Sequence, residues 1–154
     1  MSELSKKILL LDDDYESMLD LKTYLQEELG WDVELSANKA LLQRLSIEPI
    51  DLIILDLMIR PFSIDGNNKE VENIHYDNVN WMRTGLEFLK RFRDGQYSWE
   101  GQGTPSTIPV LVLSAVANNA ADRDSGELLN NEYYVEKPFR LADLVKKMRT
   151  LLEE

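Results

Sequence analysis

The sequence contains no cysteine, and this absence restricts both its covalent cross-links and its metal chemistry. No disulfide can form and no thiolate can bind a metal ion, so a metal would be held by oxygen atoms with at most one nitrogen, from His75. A chain of 154 residues with 44% hydrophobic residues is long enough for one well-buried core. We therefore expect a single domain over residues 1–154, with a composition that fits a reducing compartment.

Long apolar runs and positive charge are also scarce. The N-terminal apolar stretch ends at three acids after only a few residues, and no other segment approaches the length of a membrane span. The formal net charge is -11, and no predicted helix carries a basic stripe that could attract phosphate backbones. We expect a cytoplasmic protein that makes no membrane contact and does not bind nucleic acid directly.

What the sequence does have is an alternation of short apolar runs with helical patterns. Apolar residues recur at helical spacing in segments 18–29, 38–45, 85–93, 118–130 and 141–152. The five runs that predict strands are KILLL (7–11), WDVEL (31–35), DLIIL (51–55), PVLVL (109–113) and EYYVE (132–136). Because the central strands are apolar throughout, both faces of the sheet should be covered by helices. We predict a three-layer α/β/α sandwich around a five-stranded parallel sheet.

Two segments, at about 61–84 and 95–107, interrupt this alternation and have the character of enlarged loops inserted into the domain. The first combines aromatic and aliphatic residues with acids and bases, a mixture typical of binding surfaces. A tolerated surface insertion whose apolar residues pack on neighbouring helices fits the same composition equally well. Both interpretations of segment 61–84 stay open at this point.

Polar residues collect where the predicted strands end. They are Asp12, Asp13 and Asp14 after the first strand, Asp56 after the third, Ser114 at the end of the fourth and Lys137 after the fifth. Ligands of an open parallel sheet bind at this edge, outside the carboxyl ends of the strands. Clustered carboxylates repel one another and are costly to bury unpaired, which favours a hard divalent cation such as Mg²⁺.

The segments ILLLDDD, LIILDLM, LVLSA and YYVEKPF together resemble the receiver domain of two-component response regulators. The resemblance spans essentially the whole chain. It implies a flavodoxin-like sheet with strand order 2-1-3-4-5. It also implies that Asp56 accepts a phosphoryl group from the phosphohistidine of a histidine kinase or a histidine phosphotransfer protein. The protein would then act on a downstream protein target.

The resemblance further implies a ligand set for magnesium. Asp13 and Asp56 would bind Mg²⁺ directly, Asp12 through a water molecule, and the backbone carbonyl of Met58 would complete the protein ligands. Asp14 is left out of this set, as a helix cap or a solvated acid.

Three other residues have roles that the resemblance implies. Lys137 would pair with Asp56 before the reaction and with the phosphoryl oxygens after it, and Ser114 would donate its hydroxyl to another of those oxygens. Tyr134 would be the switch, an aromatic side chain that rotates inward when Ser114 moves toward the phosphoryl group. The alternative for Tyr134 is an ordinary strand residue.

The chain also departs from the family. Arg60 stands where most receivers have a proline, and the glycine that opens the next helix, Gly85, comes 29 residues after Asp56, across a much longer connection than usual. After Lys137 there is room for one helix, so we expect a stand-alone receiver without an output domain. Two other functions remain: a receiver-like interaction module that is not phosphorylated, and an enzyme on the same fold. The enzyme is disfavoured because no glycine-rich phosphate loop follows the first strand.

Overall fold

A parallel sheet with helices on both faces forms the centre of the molecule. The computed structural model describes residues 5–64, 67–98, 101–114 and 133–152. In chain order the elements are β1 (Lys7–Leu11), α1 (Tyr15–Leu29), β2 (Asp32–Leu35), α2 (Leu41–Arg44), β3 (Leu52–Leu55), β4 (Phe62–Ile64), β5 (Glu70–Glu72), a 3₁₀ helix (Trp81–Arg83), α3 (Thr84–Arg93), β6 (Val110–Ser114), β7 (Tyr133–Glu136) and α4 (Leu141–Leu151).

The strand order is β2-β1-β3-β6-β7, and every neighbouring pair is parallel. Because β4 and β5 belong to the first inserted segment, this is the predicted order 2-1-3-4-5, and the flavodoxin-like sandwich is confirmed. The predicted helical segment 118–130 lies outside the described residues.

Alternate residues of the central strands enter two separate hydrophobic clusters, which explains why these strands are apolar throughout. One cluster joins the sheet to α2 and α3, and its strand residues are Leu9, Leu11, Ile53, Leu55, Val110 and Val112. The other joins the sheet to α1 and α4, and its strand residues are Ile8, Leu10, Leu52, Ile54, Leu111 and Leu113. All twelve side chains are buried.

Helix α1 begins and ends as the sequence predicts. The carboxylate of Asp14 caps its first turn by accepting a hydrogen bond from the backbone N–H of Ser17, at 3.2 Å. The helix ends at Gly30, whose φ of 71° lies in the left-handed region that favours glycine. The expectation that Asp14 is a helix cap is therefore confirmed. Among the described residues, none of the helices has the length and apolar composition needed to cross a membrane.

The first inserted segment contains a β-hairpin that its sequence did not indicate. Strands β4 and β5 pair antiparallel, and the backbone N–H of Asn73, directly after β5, donates to the carbonyl of Pro61 at 2.7 Å. The backbone of the next residue, Ile74, donates to the carbonyl of Ala37, which anchors the hairpin base to the segment after β2. Strands of three residues are too short to produce a recognisable alternation.

The remainder of the first insertion packs on the body of the domain. Ile74 is fully buried in the cluster that joins the sheet to α2 and α3. The Tyr76 hydroxyl hydrogen-bonds that of Tyr97, and the guanidinium of Arg91 lies 4.3 Å from the centre of the Tyr76 ring. The apolar residues of segment 61–84 are thus divided: some are core residues, while Phe62 is half exposed on the hairpin.

The second insertion contacts the amino end of the sheet through Thr104. The buried hydroxyl of Thr104 donates to the carbonyl of Glu48 at 2.6 Å and accepts from the backbone N–H of Ile50 at 3.0 Å. Because Ile50 precedes β3, this contact supports the amino end of the strand, away from Asp56.

Candidate functional site

The pairing of β1 with β3 brings three carboxylates together at the carboxyl edge of the sheet. Leu11 and Leu55 are register partners, and the backbone N–H of Asp56 donates to the carbonyl of Leu11 at 3.0 Å. The residues that follow, Asp12 and Asp13, therefore lie beside Asp56. Carboxylate oxygens of these three acids all lie within 4.8 Å of one another, and all three residues are buried.

Lys137 reaches the same point from the end of β7. Its ammonium donates to Oδ2 of Asp12 at 2.9 Å and to Oδ2 of Asp56 at 3.3 Å. The structure thus places Lys137 next to Asp56, as the sequence predicts, but with a shorter contact to Asp12. Burial alone would lower the pKa of Lys137, but the charges of Asp12 and Asp56 outweigh it and the pKa is raised. Lys137 is therefore held in its charged form.

The pKa of Asp12 reflects its burial and the negative charge of the neighbouring Asp56. Burial, and then the charge of Asp56, raise the pKa of Asp12 to about 6, although Lys137 and a hydrogen bond from the backbone N–H of Asp14 act in the opposite direction. Lys137 carries one positive charge against three carboxylates, so it does not neutralise the cluster by itself. Such a cluster is stabilised by a further cation.

A second cation of the chain supplies part of that charge. Both the backbone N–H and the Nε–H of Arg60 donate to the same atom, Oδ2 of Asp13, each at 3.0 Å. The Asp13 side chain is 5% exposed and the Arg60 side chain is 59% exposed, so the guanidinium approaches a buried carboxylate from the solvent side. In the sequence Arg60 stands out only as a departure from the family, and its contact with Asp13 was not predicted. Its signal was a basic residue four positions after Asp56, close to the predicted acids.

The connection that follows β3 is held tightly against the site. Oδ1 of Asp56 accepts a hydrogen bond from the backbone N–H of Met58 at 3.0 Å, which orients the carboxylate. The backbone N–H of Gly85, in the first turn of α3, donates to the carbonyl of Leu57 at 2.9 Å. Met58 lies on the wall of the cleft, and the role of its carbonyl as a metal ligand stays a prediction.

Two of the three acids, Asp13 and Asp56, line a cleft that the first insertion helps to form. The cleft is lined by residues of β1–α1, the β3 connection, the 3₁₀ helix and the β7–α4 connection: Asp13, Asp14, Ser17, Met18, Asp56, Met58, Arg60, Trp81, Lys137, Pro138 and Phe139. Trp81 belongs to segment 61–84, and its carbonyl accepts a hydrogen bond from Ile59 at 3.1 Å. One end of the insertion therefore lies at the same cleft as Asp56.

The two residues predicted to read out phosphorylation lie on β6 and β7. Ser114 ends β6 and pairs in register with Glu136, so its backbone is at the carboxyl edge of the sheet. Its side chain lies outside the described part of the structure. Tyr134 is half-buried and packs against the cluster that joins the sheet to α2 and α3. Its role as a switch stays a prediction.

The donor set of Asp12, Asp13 and Asp56 fits a magnesium ion. All three donors are carboxylates, the hard oxygen ligands that Mg²⁺ prefers, and their oxygens are close enough together to surround one ion. The three carboxylates outnumber the two cationic side chains that contact them, Lys137 and Arg60.

Comparisons with known proteins bear on the family and the fold. No protein-family model matches the chain. The transcriptional regulatory protein CrdR of Helicobacter pylori is 26% identical over 152 residues, which cover 98% of the chain and 57% of that protein. The response regulator MprA of Mycobacterium tuberculosis is 30% identical over 149 residues, covering 97% of the chain and 51% of that protein. The chain spans about half the length of these relatives.

Solved structures of response regulators and receiver domains have the same fold as this chain. A response regulator of Chloroflexus aurantiacus is 22% identical with a TM-score of 0.67, covering 98% of this chain and 100% of that one. The receiver domain of a sensor histidine kinase from Pseudomonas aeruginosa, which has magnesium coordinated in its active-site cleft, is 20% identical with a TM-score of 0.63, covering 98% and 100%. The chain therefore has the fold of a response regulator receiver domain and is similar along almost its whole length to response regulators.

Proposed function

We propose that the protein is a phosphoacceptor that takes a phosphoryl group from a partner's phosphohistidine onto Asp56. One observation carries this proposal: three buried carboxylates lie within 4.8 Å of one another, and the Lys137 ammonium contacts two of them. In the wider family such a constellation performs phosphoryl transfer by positioning and charge neutralisation, with little covalent work for the protein. The donor is a histidine kinase or a histidine phosphotransfer protein.

The chemical step forms one bond and breaks one bond. A carboxylate oxygen of Asp56 attacks the phosphorus, an acyl phosphate O–P bond forms, and the N–P bond of the phosphohistidine breaks with its electron pair returning to the imidazole. The hydrogen bond from Met58 N–H to Oδ1 orients the carboxylate. Lys137 contacts Oδ2 and is positioned to pair with the incoming phosphoryl oxygens.

Asp12, Asp13 and Asp56, with the carbonyl of Met58, are the residues that would hold magnesium. When bound, Mg²⁺ would offset the charge of the acids and of the transferred phosphoryl group. Asp13 also accepts two hydrogen bonds from Arg60, through the backbone N–H and the Nε–H.

The output of the switch is a protein contact. In this proposal Ser114 donates its hydroxyl to the phosphoryl group, and Tyr134 then changes its packing and alters the surface around β7 and α4 that a downstream protein reads. The protein acts in the cytoplasm, it catalyses only its own phosphorylation and slow dephosphorylation, and it does not contact nucleic acid directly. The signalling role rests on the site and on the similarity to response regulators, and the statement on nucleic acid rests on the formal net charge of -11.

Intact-protein mass spectrometry after incubation with acetyl phosphate and Mg²⁺ tests the proposal. The mass should rise by a single phosphoryl group, and either Asp56→Asn or chelation of Mg²⁺ should abolish the rise. The matched control is Asp14→Asn, which removes a neighbouring acid but keeps a good helix cap and should leave phosphorylation intact. A mass gain that persists in Asp56→Asn would refute the assignment, and no gain in any variant would favour the unphosphorylated interaction module.

A further inference from the structure

We infer that Arg60 is a tethered competitor of the divalent cation: its guanidinium occupies Asp13 and lowers the affinity of the carboxylate cluster for Mg²⁺. This inference rests on the proposed magnesium site and adds a regulatory residue to it. The observation is that Nε–H and the backbone N–H of Arg60 both donate to Oδ2 of Asp13 at 3.0 Å. Asp13 is one of the three acids whose carboxylate oxygens are close enough together to hold one ion.

The competition is electrostatic and steric. An arginine side chain is always charged, so it neutralises Asp13 under all conditions in which the protein is folded. A magnesium ion binding Oδ2 would meet a positive charge already in contact with the same oxygen. Ion binding therefore requires the guanidinium to leave Asp13, and the free energy of that contact is subtracted from the free energy of ion binding.

The guanidinium can leave without disturbing the backbone. The Arg60 side chain is 59% exposed, so it remains hydrated after it moves away from Asp13. Its backbone is held separately, because its N–H donates to Asp13 and its carbonyl accepts a hydrogen bond from Nδ2 of Asn73 at 2.8 Å. The side chain of Arg60 can therefore move while its anchor, the backbone of Arg60, stays in place.

The anchor belongs to the inserted hairpin. Asn73 follows β5 and is fully buried, and its Nδ2 also donates to Oγ of Ser63 on β4 at 3.0 Å. Its backbone N–H donates to Pro61, the residue after Arg60. The base of the hairpin therefore sets the position from which Arg60 reaches Asp13. This gives the insertion a role at the site that neither of the sequence-based interpretations included.

The affinity for Mg²⁺ tests the competition. It is measured by isothermal titration calorimetry with Mg²⁺ alone, without any phosphoryl donor. Arg60→Gln removes the charge and keeps most of the side-chain length, and Arg60→Ala removes both. We expect each variant to bind Mg²⁺ about five- to tenfold more tightly than the wild type, the range of a partly exposed charge-assisted contact. Arg149→Ala is the matched control, because it removes one exposed arginine in the last turn of α4 and should leave the affinity unchanged.

A thermal melt gives a second readout that a purely structural role would not produce. Without Mg²⁺, Arg60→Gln should melt at a lower temperature than the wild type, because the acids lose a counter-ion. With saturating Mg²⁺ the difference should disappear or reverse. A variant that only damages the fold would melt lower under both conditions.

The outcomes separate this inference from the proposed function. Equal Mg²⁺ affinity of wild type and both Arg60 variants, or weaker binding by the variants, would overturn the competition and leave the phosphoacceptor proposal standing. If neither the wild type nor the variants bind Mg²⁺, both the competition and the proposed magnesium site are refuted.

Discussion

Gly85 lies against the backbone of Asp56 and Leu57, where there is no room for a side chain. A Cβ atom at position 85 would lie 2.1 Å from the carbonyl oxygen of Asp56 and 2.6 Å from Cα of Leu57. Both contacts are with backbone that also carries the hydrogen bond from Gly85 N–H to Leu57, so neither neighbour can move independently. The start of α3 can approach the site only because this residue is glycine.

Gly85→Ala should therefore destabilise the protein by about 3 kcal/mol or more, because the added methyl group overpacks a backbone contact. Urea denaturation measures the change. Gly95→Ala is the matched control: Gly95 has a φ of 84° but open space around the position of its Cβ, so only backbone strain of about 1 kcal/mol is expected. Equal losses in the two variants would show that the contact with Asp56 relaxes easily.

At the scale of elements, the hairpin of β4 and β5 carries two large apolar side chains that are exposed. Phe62 is 52% exposed and Ile64 is 58% exposed, and no role in the core accounts for them. Ile64 and Val71 form one wall of a groove whose other wall is α1, with Leu19 half exposed there. Rigid apolar residues beside polar ones are typical of surfaces that bind another protein.

Replacing Phe62 and Ile64 with serine should slow phosphoryl transfer from the cognate histidine protein about tenfold or more, if the hairpin contributes to partner recognition. Phosphorylation by acetyl phosphate should be unchanged, because this small donor makes no contact with the hairpin. Both rates are measured by intact-protein mass over time.

The control for the hairpin variant is Ile47→Ser, which removes an apolar side chain that is 65% exposed between α2 and β3. It should change neither rate. If the hairpin variant transfers phosphate from the histidine protein at the wild-type rate, the exposed residues have no part in recognition, and the contribution of the insertion is limited to packing and to holding Arg60.

At the scale of the whole molecule, one ion-pair network joins elements that are distant in the chain. Glu48, after α2, accepts hydrogen bonds from Arg44 at 2.9 Å and from Lys7 at 3.1 Å, and Arg44 also pairs with Glu34 on β2. The hydrogen bonds from Arg44 and then Lys7 lower the pKa of Glu48 from 4.5 to about 2. The network thus joins the beginning of β1, α2 and β2 on one side of the sheet.

Glu48→Gln should reduce the stability by about 0.5–1 kcal/mol at pH 7, a small value because the Glu48 side chain is a third exposed. The folded-state pKa is below the unfolded one, so the contribution of Glu48 is complete above pH 4.5 and declines as the pH falls toward about 2. Urea denaturation at several pH values should therefore show the wild type and Glu48→Gln converging in acid. Glu28→Gln, an exposed change on α1, should lack this convergence; a difference independent of pH would contradict the ion-pair explanation.

Much of the site could be predicted because its acids directly follow strands that are easy to recognise. Asp12, Asp13 and Asp56 are at the ends of apolar runs, so any parallel pairing of β1 with β3 brings them together. The contacts of cations could not be predicted in the same way. Lys137 lies closer to Asp12 than to Asp56, and Arg60 contacts Asp13. Several acids are within reach of each long side chain, and the folded backbone determines which of them it contacts.

The sequence by itself determined the fold class, the strand order through its family resemblance, and the collection of acids at one edge of the sheet. These features rest on patterns repeated along the chain, namely apolar runs buried on both faces and helical spacing between them. Only the tertiary structure decided the shape of segment 61–84. Its hairpin is held by Asn73 and Ile74 through bonds to Pro61 and Ala37, and Ala37 lies far away in the sequence. Such contacts leave no local periodicity, because each depends on a partner that only folding brings near.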